Sequence, residues 1–298
     1  MSRFSYFPGC SLHGTGREYG ESLQAVCQAL AIELKEIEDW VCCGATPAHA
    51  TDPEAAHLLG IWNLAHAAKM GDDPIVTGCA SCFSRLRAVR EELAERPDLV
   101  KGAPDLVGLP VKPEIQVLHI AQVLNQLETR EKIKASVKVS LNGLPVACYY
   151  GCLLTRPPGA GAIDDAEDPH ILEGLVRLAG AEPIDFPLRL DCCGASLTLP
   201  RPDLIYELTG KILSCAHDRG ARAIIVSCPM CHSNLDFQQE DTARALGLDF
   251  RMPVLYLTQL IGLALGIPPK ALGLQRHFVR VHLEDLLAAR PAASGSVA

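Results

Sequence analysis

Ile75-Val76-Thr77-Gly78-Cys79-Ala80-Ser81-Cys82 is answered further along the chain by Ile225-Val226-Ser227-Cys228-Pro229-Met230-Cys231. Each copy is a short apolar, β-branched run that ends in Cys-x-x-Cys. Such a run, introduced by Pro74 in the first copy, reads as a buried strand. The Cys-x-x-Cys then opens a helix, where free N–H groups and the helix dipole favour thiolate and bridging sulfide. A strand that runs straight into a helix, twice, argues for α/β units with parallel sheets.

Outward from these copies the repetition continues. Val41-Cys42-Cys43-Gly44-Ala45 answers Asp191-Cys192-Cys193-Gly194-Ala195, and Tyr6-Phe7-Pro8-Gly9-Cys10 answers Tyr149-Tyr150-Gly151-Cys152. Ten of the thirteen cysteines therefore fall into one pattern written twice, C-x31-CC-x35-C-x2-C and C-x39-CC-x34-C-x2-C. Five thiols per unit is an odd number for a disulfide framework and one too many for tetrahedral zinc. The set suits an iron–sulfur cluster with more than the usual four thiolates. Zinc on four of the thiols, or an ordinary cubane [4Fe–4S] with a spare thiol, stays open from spacing alone. A redox dithiol needs one Cys-x-x-Cys, not two with three companions each.

The rest of each half alternates strands and helices. Phe4–Phe7 is a strand, and Leu23, Val26, Cys27, Leu30, Ala31 and Leu34 recur at helical spacing. Ile37–Val41 is extended, and Thr51-Asp52-Pro53-Glu54 starts a helix that runs to Met70 before Gly71. In the second half the strands are Val146–Tyr150, Pro183–Phe186 and Ala223–Ser227, with helices at Leu172–Ala179 and from Pro202 to before Gly220. The halves close on similar phrases, from Val117 and from Val254. We expect two repeated cysteine-rich α/β domains, residues 1–140 and 141–275, each a small mainly parallel sheet flanked by helices. Residues 276–298 are expected as a short helix, Val279–Ala289, and a flexible tail. Strand carboxyl ends, where the cysteines fall, are where open α/β sheets place ligands. The Arg156–His170 insertion is rich in Pro, Gly and Asp and reads as a lid or docking surface, or as a plain surface insertion.

A net charge of −8, with no basic run, argues against nucleic acid. No stretch reaches the roughly 18–20 apolar residues of a membrane span; Val254–Ile267 reads as a buried helix. Met-Ser-Arg-Phe-Ser-Tyr carries no apolar signal region, so the expected setting is cytoplasmic, where cysteines are thiols or metal ligands.

The matched blocks resemble the cysteine-rich CCG domain, and the tandem pair is similar to the B-type subunit of heterodisulfide reductase over about residues 1–268. That resemblance implies two noncubane [4Fe–4S] clusters, the first on Cys10, Cys42, Cys43, Cys79 and Cys82, the second on Cys152, Cys192, Cys193, Cys228 and Cys231. It implies a disulfide, or a sulfur compound carried on lipoate, reacting between them. It also implies that electrons arrive from a ferredoxin-like iron–sulfur subunit (the C-type), fed in turn by a flavin subunit (the A-type). The chain has no Gly-x-Gly-x-x-Gly of its own. The rival expectation is a noncatalytic electron-transfer subunit of a quinone-linked or dehydrogenase complex. His13, Arg17 and Tyr19, in the polar stretch after Cys10, are the candidate substrate-facing groups. His232 is matched by Phe83 and is not expected to be a ligand; His119 matches Tyr256 and reads as packing. Cys27, Cys148 and Cys215 read as core.

Overall fold

The computed structural model describes residues 2–45, 48–159 and 162–288. Two four-stranded parallel sheets carry the chain. The first holds β1 (Ser2–Tyr6), β2 (Ile32–Glu36), β3 (Ile75–Thr77) and β4 (Val117–His119) in the order β2-β1-β3-β4. The second holds β5 (Pro145–Tyr149), β6 (Glu182–Pro183), β7 (Ala223–Val226) and β8 (Val254–Tyr256) in the order β6-β5-β7-β8. The same order in both halves gives the sequence repeat its structural meaning. Helices flank the sheets, so the central strand β7 is apolar without alternation, and every one of its residues is buried.

Several expectations shift. Helical spacing carried the first long helix to Leu34, but it is Arg17–Ala29, and Ala31 turns the chain at φ 55°. The next strand is therefore Ile32–Glu36 rather than Ile37–Val41, although the Ile37 amide still donates to Tyr6 O at 2.9 Å. The apolar phrase from Val254 is not one buried helix: Val254–Tyr256 pairs with β7, and the helix is Leu257–Ala264. An apolar run buried on all sides has no period that separates strand from helix. A shared device marks the change. Gln122 Oε1 accepts from His119 N at 2.9 Å, and Gln259 Oε1 accepts from Tyr256 N at 2.9 Å. The C-terminal helix is shorter than expected, Leu283–Leu287. The expected tail from residue 289 lies outside the described residues.

The helix start at Asp52 is as read. Asp52 Oδ1 accepts from Ala55 N at 3.0 Å, Pro53 takes the first helical position, and Gly71 follows Met70. Asp52→Ala is expected to cost about 1 kcal/mol, read as a lower urea midpoint at an unchanged slope. An unmoved midpoint would show that the cap is idle.

The halves exchange helices at their seam. Arg17–Ala29 packs on Leu257–Ala264, and Ile120–Asn125 packs on Ile171–Leu178, so one apolar core runs through both. Polar ties cross it: Ser22 Oγ to Thr258 Oγ1 at 2.6 Å and Tyr19 OH to Ser227 Oγ at 3.2 Å. The 156–170 insertion also crosses. Ser84 Oγ donates to Arg156 O at 3.5 Å and the Arg87 guanidinium donates to Pro157 O. At its far end Asp164 Oδ2 accepts from His170 N (2.6 Å) and Ile171 N (2.5 Å), opening the next helix. The start of the insertion, Arg156 and Pro157, thus lies on the first half's Cys-x-x-Cys helix.

Candidate metal centre

All ten patterned cysteines lie beyond strand carboxyl ends. Cys10 follows β1 in the Gly9–His13 helical turn. Cys42-Cys43 occupies an irregular turn after β2, which lets adjacent side chains serve one site where a regular strand would set them on opposite faces. Cys79 is the N-cap of the Ala80–Glu95 helix, and Cys82 lies in its first turn. The second half repeats this with Cys152 after β5, Cys192-Cys193 after β6, and Cys228 as N-cap of Pro229–His232.

Within each half the thiols interact, in one run in the first half and in two groups in the second. Cys10 meets Cys42, Cys42 meets Cys43, Cys43 meets Cys82, and Cys82 meets Cys79. Cys152 meets Cys192, Cys193 Sγ lies 3.6 Å from Cys231 Sγ, and Cys231 meets Cys228. The two halves join, because the Cys79 and Cys228 thiols interact across the seam. Six of the ten are buried; Cys10 and Cys192 are exposed, Cys42 and Cys152 half-buried. Protons are shared unevenly along the run. Hydrogen bonds from Cys42 and Cys82 hold Cys43 down at about 4, while the same partnership pushes Cys82 up. The Cys152 hydrogen bond holds Cys192 at about 6. Cys228 is held low by Cys231 and Cys79.

A cysteine-rich domain model, CCG, matches residues 4–87 and 146–236, the two stretches that carry these thiols.

The chain belongs to the CCG cysteine-rich family.

Relatives of this CCG protein span nearly its full length. It is 35% identical over 94% of its chain, and 98% of theirs, to the "8-methylmenaquinol:fumarate reductase membrane anchor subunit" of Wolinella succinogenes. It is 28% identical over 94% of its chain, and 95% of theirs, to the B-type subunit of the "Ferredoxin/F(420)H(2)-dependent CoB-CoM heterodisulfide reductase" of Methanosarcina acetivorans. In fold it is similar to a crystal structure of a hypothetical protein from Helicobacter pylori, with a TM-score of 0.75 at 13% identity over 94% of this chain and 52% of that one.

The CCG protein's sites fit an iron–sulfur cluster. Their donors are soft thiols throughout. Gly44 N and Gly194 N point at Cys42 Sγ (3.5 Å) and Cys192 Sγ (3.2 Å), the kind of N–H···S contact that raises a cluster's potential. Gly9 and Gly151 leave space a side chain would fill: a Cβ there would stand 2.9 Å from Cys82 Sγ and 3.0 Å from Cys231 Sγ. No helix among the described residues is long and apolar enough to cross a membrane.

The other candidates separate. Tyr19 is fully buried in the seam, stacked 4.0 Å from Tyr256, so it packs rather than faces a substrate. His13 and Arg17 line a depression of about 260 Å³ with Tyr6, Leu12 and Gly20, and no cysteine lines it; His13 Nε2 lies 3.3 Å from Glu36. Cys27 and Cys148 are core, as read, and Cys215 is half-buried against it. His119 is buried and bonds Gly78 O and Ser227 O, and burial lowers it to about 4.

His232 has company that sequence did not foresee, in Asp236 and His277. This trio has ligand-type side chains that are already taken up in hydrogen bonds. Gln259 Oε1 is committed to Tyr256 N, so its Nε2 donates to Leu272 O and to His277 Nε2. His277 Nδ1 faces His232 Nε2 at 3.3 Å, and His232 Nε2 also lies 3.1 Å from Val254 O. Asp236 is spent on Phe278 N and Val279 N. The group is a hydrogen-bonded strut.

Sequence reasoning also missed Asn63 and Asn234, both buried, which bond the backbone of the two Cys-Cys turns. The signal was faint: one amide in the apolar Leu58–Ala68 run, another three residues beyond Cys231.

Proposed function

We propose that this chain is the iron–sulfur subunit of a heterodisulfide-reductase-like complex, reducing or forming a disulfide with a noncubane [4Fe–4S] cluster on each five-cysteine set. The closeness of the two sites supports it above all: His119 Nε2 bonds both Gly78 O (2.9 Å) and Ser227 O (3.0 Å), the residues just before Cys79 and Cys228. Two sites set side by side can together handle a two-electron bond one electron at a time. Reduction consumes two electrons and two protons per disulfide and releases two thiols. When bound, each cluster supplies a one-electron store.

The protein's own groups shape that store. The exposed Cys10 and Cys192 mark where substrate and donor can approach. The Gly44 and Gly194 amides hold negative charge on sulfur. The aromatic and hydroxyl ties of the seam bury Cys79 and Cys228 away from water. With no flavin motif of its own, the chain takes electrons from a flavin subunit through a ferredoxin-like subunit, in the cytoplasm. Their docking is part of the proposal.

A second reading rests on the 35% identity to the quinol:fumarate reductase subunit. There the same two sites relay electrons to a quinone-linked dehydrogenase, and neither touches a disulfide.

Anaerobic purification tests both. About eight irons and eight acid-labile sulfides per chain are expected from two [4Fe–4S] clusters; stoichiometric zinc without sulfide would sink either reading. The EPR signal of the oxidised protein is expected to change with a thiol or disulfide. A signal indifferent to thiols but reduced by a menaquinol analogue, in complex with a flavin dehydrogenase, would establish the relay instead.

A further inference from the structure

The Cys-Cys turns face a problem that the other ligand positions do not. Both side chains of an adjacent pair must reach one site, so their backbone lies outside any sheet ladder or helix. Its polar groups need partners from elsewhere. In the first half Asn63 supplies them: its Oδ1 accepts from Val41 N at 2.8 Å, and its Nδ2 donates to Leu59 O at 2.8 Å and to Cys42 O at 3.4 Å. In the second half Asn234 Nδ2 donates to Cys193 O at 2.8 Å, while its Oδ1 meets Thr198 Oγ1 at 3.0 Å. Both asparagines are at most 2% exposed.

The two do not correspond in the repeat. Asn63 precedes Cys79 by sixteen residues, where the second half has Ile212; Asn234 follows Cys231 by three, where the first half has Arg85. The halves thus use the same amide from different helical turns, Pro53–Met70 and Ser233–Phe237. A role inherited with the duplicated unit would sit at one position. The same group reached by two routes points to a requirement of the turn itself.

We propose that Asn63 and Asn234 are positioning residues that aim Cys42-Cys43 and Cys192-Cys193 at their clusters. This rests on the iron–sulfur reading above. The clamps also differ in grip. The short bond of Asn63 is to the amide ahead of its pair, whereas that of Asn234 is to the carbonyl of Cys193 itself, with Tyr149 OH adding a bond to Asp191 O at 2.6 Å.

The experiment uses the full chain, purified anaerobically, with iron, acid-labile sulfide and EPR measured on wild type and four variants. Asn63→Leu and Asn234→Leu keep bulk and remove every amide bond. Each is expected to lower iron from about eight to about four per chain and to erase one cluster's EPR signature while sparing the other. Asn63→Asp keeps the acceptor for Val41 N and is expected to stay near wild-type iron. Asn234→Asp cannot donate to Cys193 O once ionised, and at a pH above the titration of that carboxyl it is expected to behave like Asn234→Leu. Both Asp variants bury the same carboxylate, so equal losses in the two would reduce the effect to burial and overturn the proposal. Wild-type iron and spectra in both leucine variants would overturn it too. So would loss of helical circular dichroism in the chelator-stripped leucine variants, which would make the asparagines packing residues. A wild-type chain without iron would instead overturn the reading on which the proposal stands.

Discussion

Gly151→Ala is expected to empty the second site, cutting iron per chain by about half and leaving the first site's spectrum in place. The new Cβ would stand 3.0 Å from Cys231 Sγ, inside the roughly 3.5–4.0 Å of an ordinary contact. Cys231 cannot retreat: it is buried, in the first turn of a helix, 3.6 Å from Cys193 Sγ. Residue 151 also sits at φ 66°, where an L-residue costs roughly 1–2 kcal/mol. Gly9→Ala should do the same to the first site, with φ 70° and a Cβ 2.9 Å from Cys82 Sγ. Gly247→Ala separates the two causes. Its φ is also 70°, but nothing lies within 4 Å of the added carbon, so it carries strain without collision. Iron measured on all three decides the matter: full iron in Gly151→Ala and Gly9→Ala, or equal loss in Gly247→Ala, would mean that these glycines are not there for the sulfur.

The second large effect concerns the fifth cysteine. Cys10 and Cys152 each reach their set through one member of the Cys-Cys pair, and neither is fully buried. The other four thiols of each half already suffice for an ordinary cubane. Cys10→Ser and Cys152→Ser are expected to keep most iron, to shift the spectrum toward that of a cubane, and to lose disulfide turnover by an order of magnitude or more. Serine at any of the other eight should lose more iron, because hydroxyl is a harder, poorer ligand. The heaviest losses are expected at Cys79 and Cys228, which are buried where the halves meet at His119. Iron, EPR and turnover across the ten single variants check this. Undiminished turnover in both Cys10→Ser and Cys152→Ser would refute the five-thiol mechanism and put the relay first.

The α/β class and the helix start at Asp52 were legible because each rests on local chemistry: β-branched runs, and Pro at the first helical turn. So was the grouping of the cysteines into two sets, since a repeat needs no tertiary knowledge to be seen. The seam was not legible. Nothing local tells that Tyr19 lies under Tyr256, because that stack joins residues from opposite ends of the chain. For the same reason Tyr19 looked like a substrate group: it follows a polar stretch, and only the partner helix buries it. The edge strand at Val254 was hidden by its burial, which removes the polar face that would have set the period. Asn63 and Asn234 escaped because they share no position in the repeat.

The exchange of helices across the seam has a consequence for how the protein is made. Ser22 finds Thr258 across 236 residues, and Glu18 finds Tyr256 across 238. The Arg17–Ala29 helix is therefore made well before the Leu257–Ala264 helix that covers it. Until the C-terminal third emerges, its apolar face and the thiols beside it have only a chaperone, or water, to rest against. Long-range closure of this kind is slow. The first half shuts only against residues 257–264, so any cluster is expected to be loaded after they are made.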